Sequence, residues 1–478
     1  MDLRPKFEQI PNVKIMINIG ALMDIPTGIY IRGLYGEFIL NGGLGAITGV
    51  VGIGNNFKST TMHYMMLSAA ARISEMSDTS MSTYDTEVNV HESRILQLTK
   101  RFVAFAKKNI LMEGIWKISD KINYYANEWY EVLKEFLKEK TTAIKKLERR
   151  TPFPNRDASG NLMIPPPTFS EVDSFSMFET ENIAKMQDEN ELGDAGANTM
   201  HMRQGMAKVR FLMEIPGISG AAYHYMLLSA HIGKNIEMAS GPMPAPPVKK
   251  LQHLKNGDVI KGVTDKFFFL MSNCWHAFNA APFINQGTKS SEYPRDSSDN
   301  APLDTDLNVV SLRQLRSKSG PTGIVLEILV SQSEGVLAEL TEFHYIKNMD
   351  RFGISGTMQH YNLDLLPEIK LSRTTVRTKI DNDPKLCRAL NITAELCQLH
   401  QYWHHVYDEE LCTAKELYDD LKAKGYDWDV LLATRGWWTL DNDKHPIPFL
   451  STMDLLNMRK GKYIPYWFTQ EQKDKIKQ

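Results

Sequence analysis

Apolar residues along this chain fall into two rhythms, and the change from one to the other marks its elements. After the glycine-rich turn LNGGLG, the segment from Ala46 to Val51 reads as a short buried strand. The segment TTMHYMMLSAAARI that follows at Thr60 has a helical period and good helix formers. Beyond a polar gap, MSTYD reads as a second strand. A strand, loop, helix, strand order implies a parallel sheet with crossover helices.

Further on, residues 121–149 read as one long helix, with Tyr125, Trp129, Val132, Leu133, Phe136 and Leu137 on one stripe. Residues 150–167 read as a Pro/Gly/Asn loop. A helix is expected at 196–213, a buried strand at 221–230, and a loop rich in proline and lysine at 235–262. KFFFLMS and GIVLEILV read as two further strands. From about residue 360 the pattern turns helical, most clearly in DPKLCRALNITAELCQL, and predicts a separate C-terminal domain.

Composition narrows the class. With 478 residues, 42% of them hydrophobic and 23% charged, the chain has the profile of a soluble globular protein. No apolar run approaches the roughly 20 residues that span a bilayer, and MDLRPKFEQIPN has no secretory stretch. A soluble cytoplasmic protein without membrane contact is expected. The four cysteines, Cys274, Cys387, Cys397 and Cys412, include no CxxC pair, which argues for free buried thiols over disulfides or a thiolate zinc site. A net charge of −2 is too small for bulk attraction to nucleic acid, so any such site must come from local clusters.

The chemistry concentrates after the first strand, in Gly52-Ile53-Gly54-Asn55-Asn56-Phe57-Lys58-Ser59, with Thr60 and Thr61 opening the helix. A phosphate loop of pattern GxxxxGK[ST] needs glycines that turn backbone N–H groups toward phosphate, a lysine for the β/γ oxygens and a hydroxyl for magnesium. Gly52, Lys58 and Ser59 supply them at that spacing; Phe57 stands where glycine is usual. The alternative is an ordinary glycine turn. Glu87, at the end of the MSTYD strand, would face the phosphates and could polarise an attacking water. A lone carboxylate there is more often a helix cap. Asp173 in TFSEVDSFS is a second acidic candidate, for magnesium, although Ser170 and Glu171 interrupt the apolar run expected before it.

Together these segments resemble the RecA/UvsX recombinases, most closely the phage UvsX type, over roughly residues 20–350. Five features occur in the family's order: LNGGLGAITGVVGIGNNFKST, with phenylalanine before the lysine as in the UvsX type; TYDTEVN; VDSFSMFETE with ENELGDAGANTMHMRQGMAKVR; MLLSAHIGKN; and LRSKSGPTGIVLEILVSQSEGV. The resemblance implies a RecA-like P-loop ATPase core at 36–350 with a mostly parallel central sheet and a helical insertion near 121–149. It further implies an N-terminal oligomerisation segment at 1–35 and a smaller helical domain at 360–478.

By the same resemblance, ATP and Mg2+ would be held by Gly52, Gly54, Asn55, Asn56, Phe57, Lys58, Ser59 and Thr60, with Arg94 on the adenine and Asp173 on the metal. Glu87 would be the catalytic carboxylate, His231 the γ-phosphate sensor, and Arg316 and Lys318 the pair reaching the nucleotide from a neighbouring subunit. Arg203, Arg210, Lys249, Lys250 and Lys255 would contact DNA phosphates from two loops, about 187–203 and 234–262. The implied partners are single- and double-stranded DNA and further copies of the chain, in a helical filament or a ring, within the host cytoplasm if the chain is phage-encoded. A hexameric helicase of the DnaB type shares this core but would be expected to carry more than about 100 residues of N-terminal helical domain; only about 45 precede the loop. A non-catalytic RecA-like paralogue is the other alternative. In the C-terminal part, Trp403-His404-His405 and Trp437-Trp438 read as core aromatics, and no site is assigned there.

Overall fold

The computed structural model describes residues 12–157, 159–189, 196–234, 252–296, 298–299, 301–350, 352–357 and 359–476. Eight strands form the body of one sheet: β1 (Ile47–Gly52), β2 (Met81–Asp85), β3 (Trp116–Asp120), β4 (Thr168–Asp173), β5 (His224–Lys234), β6 (Asn273–Pro282), β7 (Leu307–Ser317) and β8 (Val325–Ser331). Their spatial order is β3-β2-β4-β5-β1-β6-β7-β8, extended by the short strand Gly335–Val336 beside β8, while Asp258–Ile260 pairs with the end of β5. The six strands from β3 to β6 are mutually parallel, and β7 and β8 join antiparallel. This is the mixed α/β architecture with a mostly parallel sheet that the strand–helix alternation predicted.

Position in the sheet explains composition. Every residue of β1 and β4 is buried, as expected of parallel strands covered on both faces. The polar residues that interrupt β4 do not break it, because each finds a partner. Ser170 Oγ lies 2.6 Å from Ser82 Oγ, and Thr83 Oγ1 donates to Glu171 Oε1 at 2.6 Å. The His63 ring stands 2.7 Å from the same carboxylate. Burial, the largest single influence, would lower the His63 pKa; the charge and hydrogen bond of Glu171, with the charge of Asp173, together outweigh it and raise it.

Helix α1 (Lys58–Ser74) covers one face, and α3 (Ala126–Thr142) and α4 (Gly196–Ala222) cover the other; α2 (Glu92–Thr99) follows β2. Val50 belongs to the core under α1, and Ile47 and Val51 to the core under α3 and α4, so β1 divides two apolar layers by its period of two. The α1-side layer continues into α6 (Ala338–Asn348), the N-terminal segment and the C-terminal helices, of which α7 (Pro384–Tyr402) is longest. Here Ile15, Ile17, Ile19, Leu22 and Ile25 pack inside their own chain. The Trp438 indole donates to the Met16 carbonyl and that of Trp403 to Ile25.

Four stretches differ from the expected elements. KFFFLMS is not a strand: α5 (Asp265–Leu270) occupies it, and β6 begins only at Asn273. Phe267 and Met271 are both 0% exposed while Phe269 is 49% exposed, a spacing of four that fits a helix and not a strand. The helix expected at 121–149 is confined to Ala126–Thr142 with a short turn at Ile144–Leu147; the Tyr125 amide donates to Glu128, which caps its start. The loop expected at 150–167 contains a hairpin, Arg149–Pro154 with Asn161–Ile164, whose Phe153, Leu162 and Ile164 are buried. Finally, the helices after 360 begin at Val376, preceded by the antiparallel strands Ile354–Thr357, His360–Leu363 and Leu366–Leu371.

The four cysteines are free thiols, and among the described residues no helix is long and apolar enough to cross a membrane.

Candidate functional site at the carboxyl edge of the sheet

Strand β1 connects to β2 on one side of it, while its neighbour β5 connects onward to β6 on the other. Such a reversal opens a crevice at the carboxyl ends of the strands, the place where open parallel sheets bind ligands. The loop after β1 lies there. A Cβ on Gly52 would stand 2.6 Å from the Ala277 carbonyl, so β1 and β6 approach this closely only with glycine. At Gly54 an added Cβ would meet nothing within 4 Å, and the loop is open on that side.

Asn55 and Phe57 adopt φ of 62° and 56°, the left-handed region that glycine enters freely. The geometry therefore accounts for glycine being usual at position 57. Phe57 accepts the strained backbone, and its half-buried ring packs on the α1-side core. Asn56 Nδ2 donates to the Ala277 carbonyl at 3.0 Å and ties the loop to β6.

Lys58, the first residue of α1, is only 7% exposed, and its Nζ donates to the Ile53 carbonyl at 2.8 Å. Burial lowers its pKa from the usual lysine value, while the charges of Asp173 and Glu87 act in the opposite sense. The ammonium thus shares one field with both predicted carboxylates. Ser59 and Thr60 follow, half-buried, in the first turn, where helix N–H groups have no intrahelical acceptor and favour an anion.

Asp173 ends β4 and accepts a hydrogen bond on Oδ1 from Ser229 of β5 at 2.6 Å. Its carbonyl receives the Thr86 amide, and Thr86 Oγ1 exchanges hydrogen bonds with the backbone of Ser174, so the ends of β2 and β4 are braced together. The Asp85 carboxylate accepts the amides of Glu87, Asn89 and Val90, which fixes the turn carrying Glu87. Glu87 Oε1 meets His231 Nε2 at 2.8 Å, both side chains 34% exposed. His231 in turn donates its amide to Ser176 Oγ. Beneath it, buried Lys208 donates to the carbonyls of Ser176 and Gly262, and burial pulls its pKa down to about 8.

Lys58, Asp173, Glu87 and His231 therefore converge, with Ser59 next to Lys58 in the first turn of α1. Arg316 and Lys318 do not join them. Arg316 sits opposite Cys274 on β6, whereas Gly52 lies beside Ala277, three residues or roughly 10 Å along the strand. The Arg316 guanidinium donates to the carbonyls of Met271 and Phe269, before β6 begins, and the Lys318 amide donates to Ser272. Both lie toward the amino edge, away from their own chain's loop.

Arg94 lies on α2 beyond the end of β2, its guanidinium donating to the Ser333 carbonyl at 3.0 Å. Arg203 is exposed beside Met186, and Arg210 is ion-paired with Glu214 at 2.8 Å. Lys255 is exposed; Lys249 and Lys250 lie outside the described residues.

Sequence reasoning missed Ser229, Thr86, Ser176 and Lys208. Only Ser229 carried a signal: two residues before His231 in a strand, it had to share that residue's face. Among the described residues no group of three His, Cys, Asp or Glu side chains could hold a metal. One hydroxyl at a helix start and one carboxylate, Ser59 and Asp173, fit instead a magnesium that retains waters and is completed by phosphate oxygens. No protein-family model matches the chain, and no curated protein matches its sequence.

Proposed function

We propose that this chain is a DNA-dependent ATPase of the RecA/UvsX kind, which polymerises on single-stranded DNA and promotes pairing and exchange of strands. The observation that carries the reading is the meeting of Lys58, Asp173 and the Glu87–His231 pair at one crevice, after three neighbouring parallel strands and the turn beyond a fourth. Lysine and helix N–H groups bind and orient the triphosphate. Ser59 and Asp173 would hold a bound magnesium, which would neutralise phosphate charge. Glu87 orients the attacking water and accepts its proton, in the role such carboxylates play.

His231 gives the site a readout. It holds Glu87 while no γ-phosphate competes for its Nε2, and it lies on β5, which runs on to Lys234 and the candidate DNA loop. A change of partner at His231 is therefore felt at both the catalytic carboxylate and that loop. The position of Arg316 and Lys318 at the far edge supports a head-to-tail assembly, in which they serve the nucleotide of the next copy.

The test is ATP turnover with and without single-stranded DNA, beside a Lys58→Ala variant. Stimulation by DNA that disappears in the variant is expected; turnover indifferent to DNA contradicts the proposal. Strand exchange with no duplex unwinding then separates a recombinase from a helicase.

A further inference from the structure

Along one stripe of α1, formed by Tyr64, Ser68, Ala71 and Arg72 with Glu75 just beyond it, the chain lines a second cavity of about 930 Å³. Its other walls come from residues 18–24, 97–104, the start of α6, α7 and residues 432–437. It is separate from the phosphate loop, none of whose residues line it, and its volume is that of a site for a small organic molecule.

The polar groups of its wall are unevenly matched. The arginines already have partners, and Lys100 is exposed: Arg72 pairs with Asp24 at 3.4 Å, Arg101 and Arg295 pair with Glu334, and Arg435 donates to three backbone carbonyls. Arg388 donates to Asn391 Oδ1 and the Leu450 carbonyl. The acids are left over. Glu339, Glu342 and Glu395 line the cavity, and among the described residues none of them has a cation within ion-pair distance. Glu395 accepts from Thr452 and Asn391. Glu342, 5% exposed, accepts from Asn391 on Oε1 only; its Oε2 is buried with no donor.

A buried carboxylate oxygen without a donor is costly, so the site calls for one. Burial, then the charges of Glu339 and, less strongly, Glu395, push Glu342 well above the usual carboxylate range. A cation placed among the three would reverse that. The absence of a metal-holding group among the described residues points away from an ion, and Leu40, Val336 and Ile380 in the wall suit an aliphatic stem.

We propose that this cavity binds an aliphatic polyammonium compound, with an ammonium group donating to Glu342 Oε2 and to Glu339. The occupant touches the second half of the helix that begins at Lys58, a contact independent of the nucleotide reading.

Calorimetric titration of the DNA-free full chain with spermidine, at a salt concentration that screens surface charge, tests this. One saturable site is expected, weakened about tenfold or more in Glu342→Gln and in Glu339→Gln, and unchanged in Lys58→Ala. Absence of saturable uptake overturns the proposal, as does an affinity unchanged from that of the native chain in both glutamine variants. If Glu342→Gln fails to fold by circular dichroism, the half-buried Glu339→Gln decides alone. A nucleotide-binding defect in Lys58→Ala leaves the spermidine result intact, so the two proposals fail separately.

Discussion

The two ends of β4 and β5 carry the same kinds of side chain in opposite settings. At their carboxyl ends, His231 of β5 pairs with Glu87, from the turn after neighbouring β2, across the crevice where solvent reaches both. At their amino ends, Lys140 Nζ donates to Thr168 Oγ1 at 2.9 Å and Thr168 Oγ1 meets His224 Nδ1 at 3.0 Å, all three residues buried. Burial drags Lys140 down to about 7, and burial with the nearby Lys140 charge takes His224 down to about 3. A histidine so placed stays neutral. Histidine in a strand is thus no mark of function by itself; the edge it occupies and its access to solvent decide.

The sharpest way to break this comparison is to neutralise one group at each end. Glu87→Gln is expected to slow hydrolysis by about 10²–10⁴ while nucleotide binding, read by a fluorescent analogue, persists. Lys58→Ala is expected to remove both. Lys140→Met, at the amino edge, leaves turnover within about twofold. Comparable losses at both edges would dissolve the distinction.

Arg316 belongs to neither setting, and its test is an assembly test. Arg316→Ala should hydrolyse as poorly as Lys58→Ala when each is alone. In a head-to-tail polymer of the two variants mixed equally, about a quarter of the interfaces join an intact Lys58 to an intact Arg316. Roughly that fraction of wild-type turnover is expected to return in the mixture. No recovery would mean that Arg316 acts within its own chain or not at all.

Much of the carboxyl edge was legible because its signals are local. Gly52, Lys58 and Ser59 lie in one stretch, and a strand end after a parallel crossover tells where Glu87 faces. What was not legible depends on partners distant in sequence. Glu171 looked like a break in β4 because His63 and Thr83, which accommodate it, lie far away in the chain. KFFFLMS looked like a strand because five apolar residues are too few to show a period, and only burial of Phe267 with Met271 reveals it. The hairpin at 149–164 was hidden by Pro152 and Pro154, residues an edge strand tolerates. The second cavity has no sequence signature, since Glu395 of α7 joins Glu339 and Glu342 of α6 only through the fold.

Buried Lys140 also makes a prediction about pH. Its pKa in the folded chain, about 7, is below its usual value, so between the two the unfolded chain binds more protons. Stability therefore rises with pH from about 7 toward 10, by at most about 1.4 kcal/mol per unit from this group. Lys140→Met should flatten that slope in denaturant titrations at pH 7 and 9. An unchanged slope would show that the amino-edge cluster is wetter than its burial implies.

The smallest effect expected is at Phe57, and it turns on order more than size. In the middle of a helix alanine outranks glycine. At position 57, with φ of 56°, alanine retains the left-handed strain and loses the ring, whereas glycine loses the ring but sheds the strain. Phe57→Gly is therefore expected to be the more stable of the two variants, by about 1 kcal/mol. Both should fall below the native chain, because the half-buried ring packs on the core beneath α1. Thermal melts of the pair decide it. If alanine proves the more stable, the loop is not held left-handed there, and the carboxyl edge is less strained than its geometry implies.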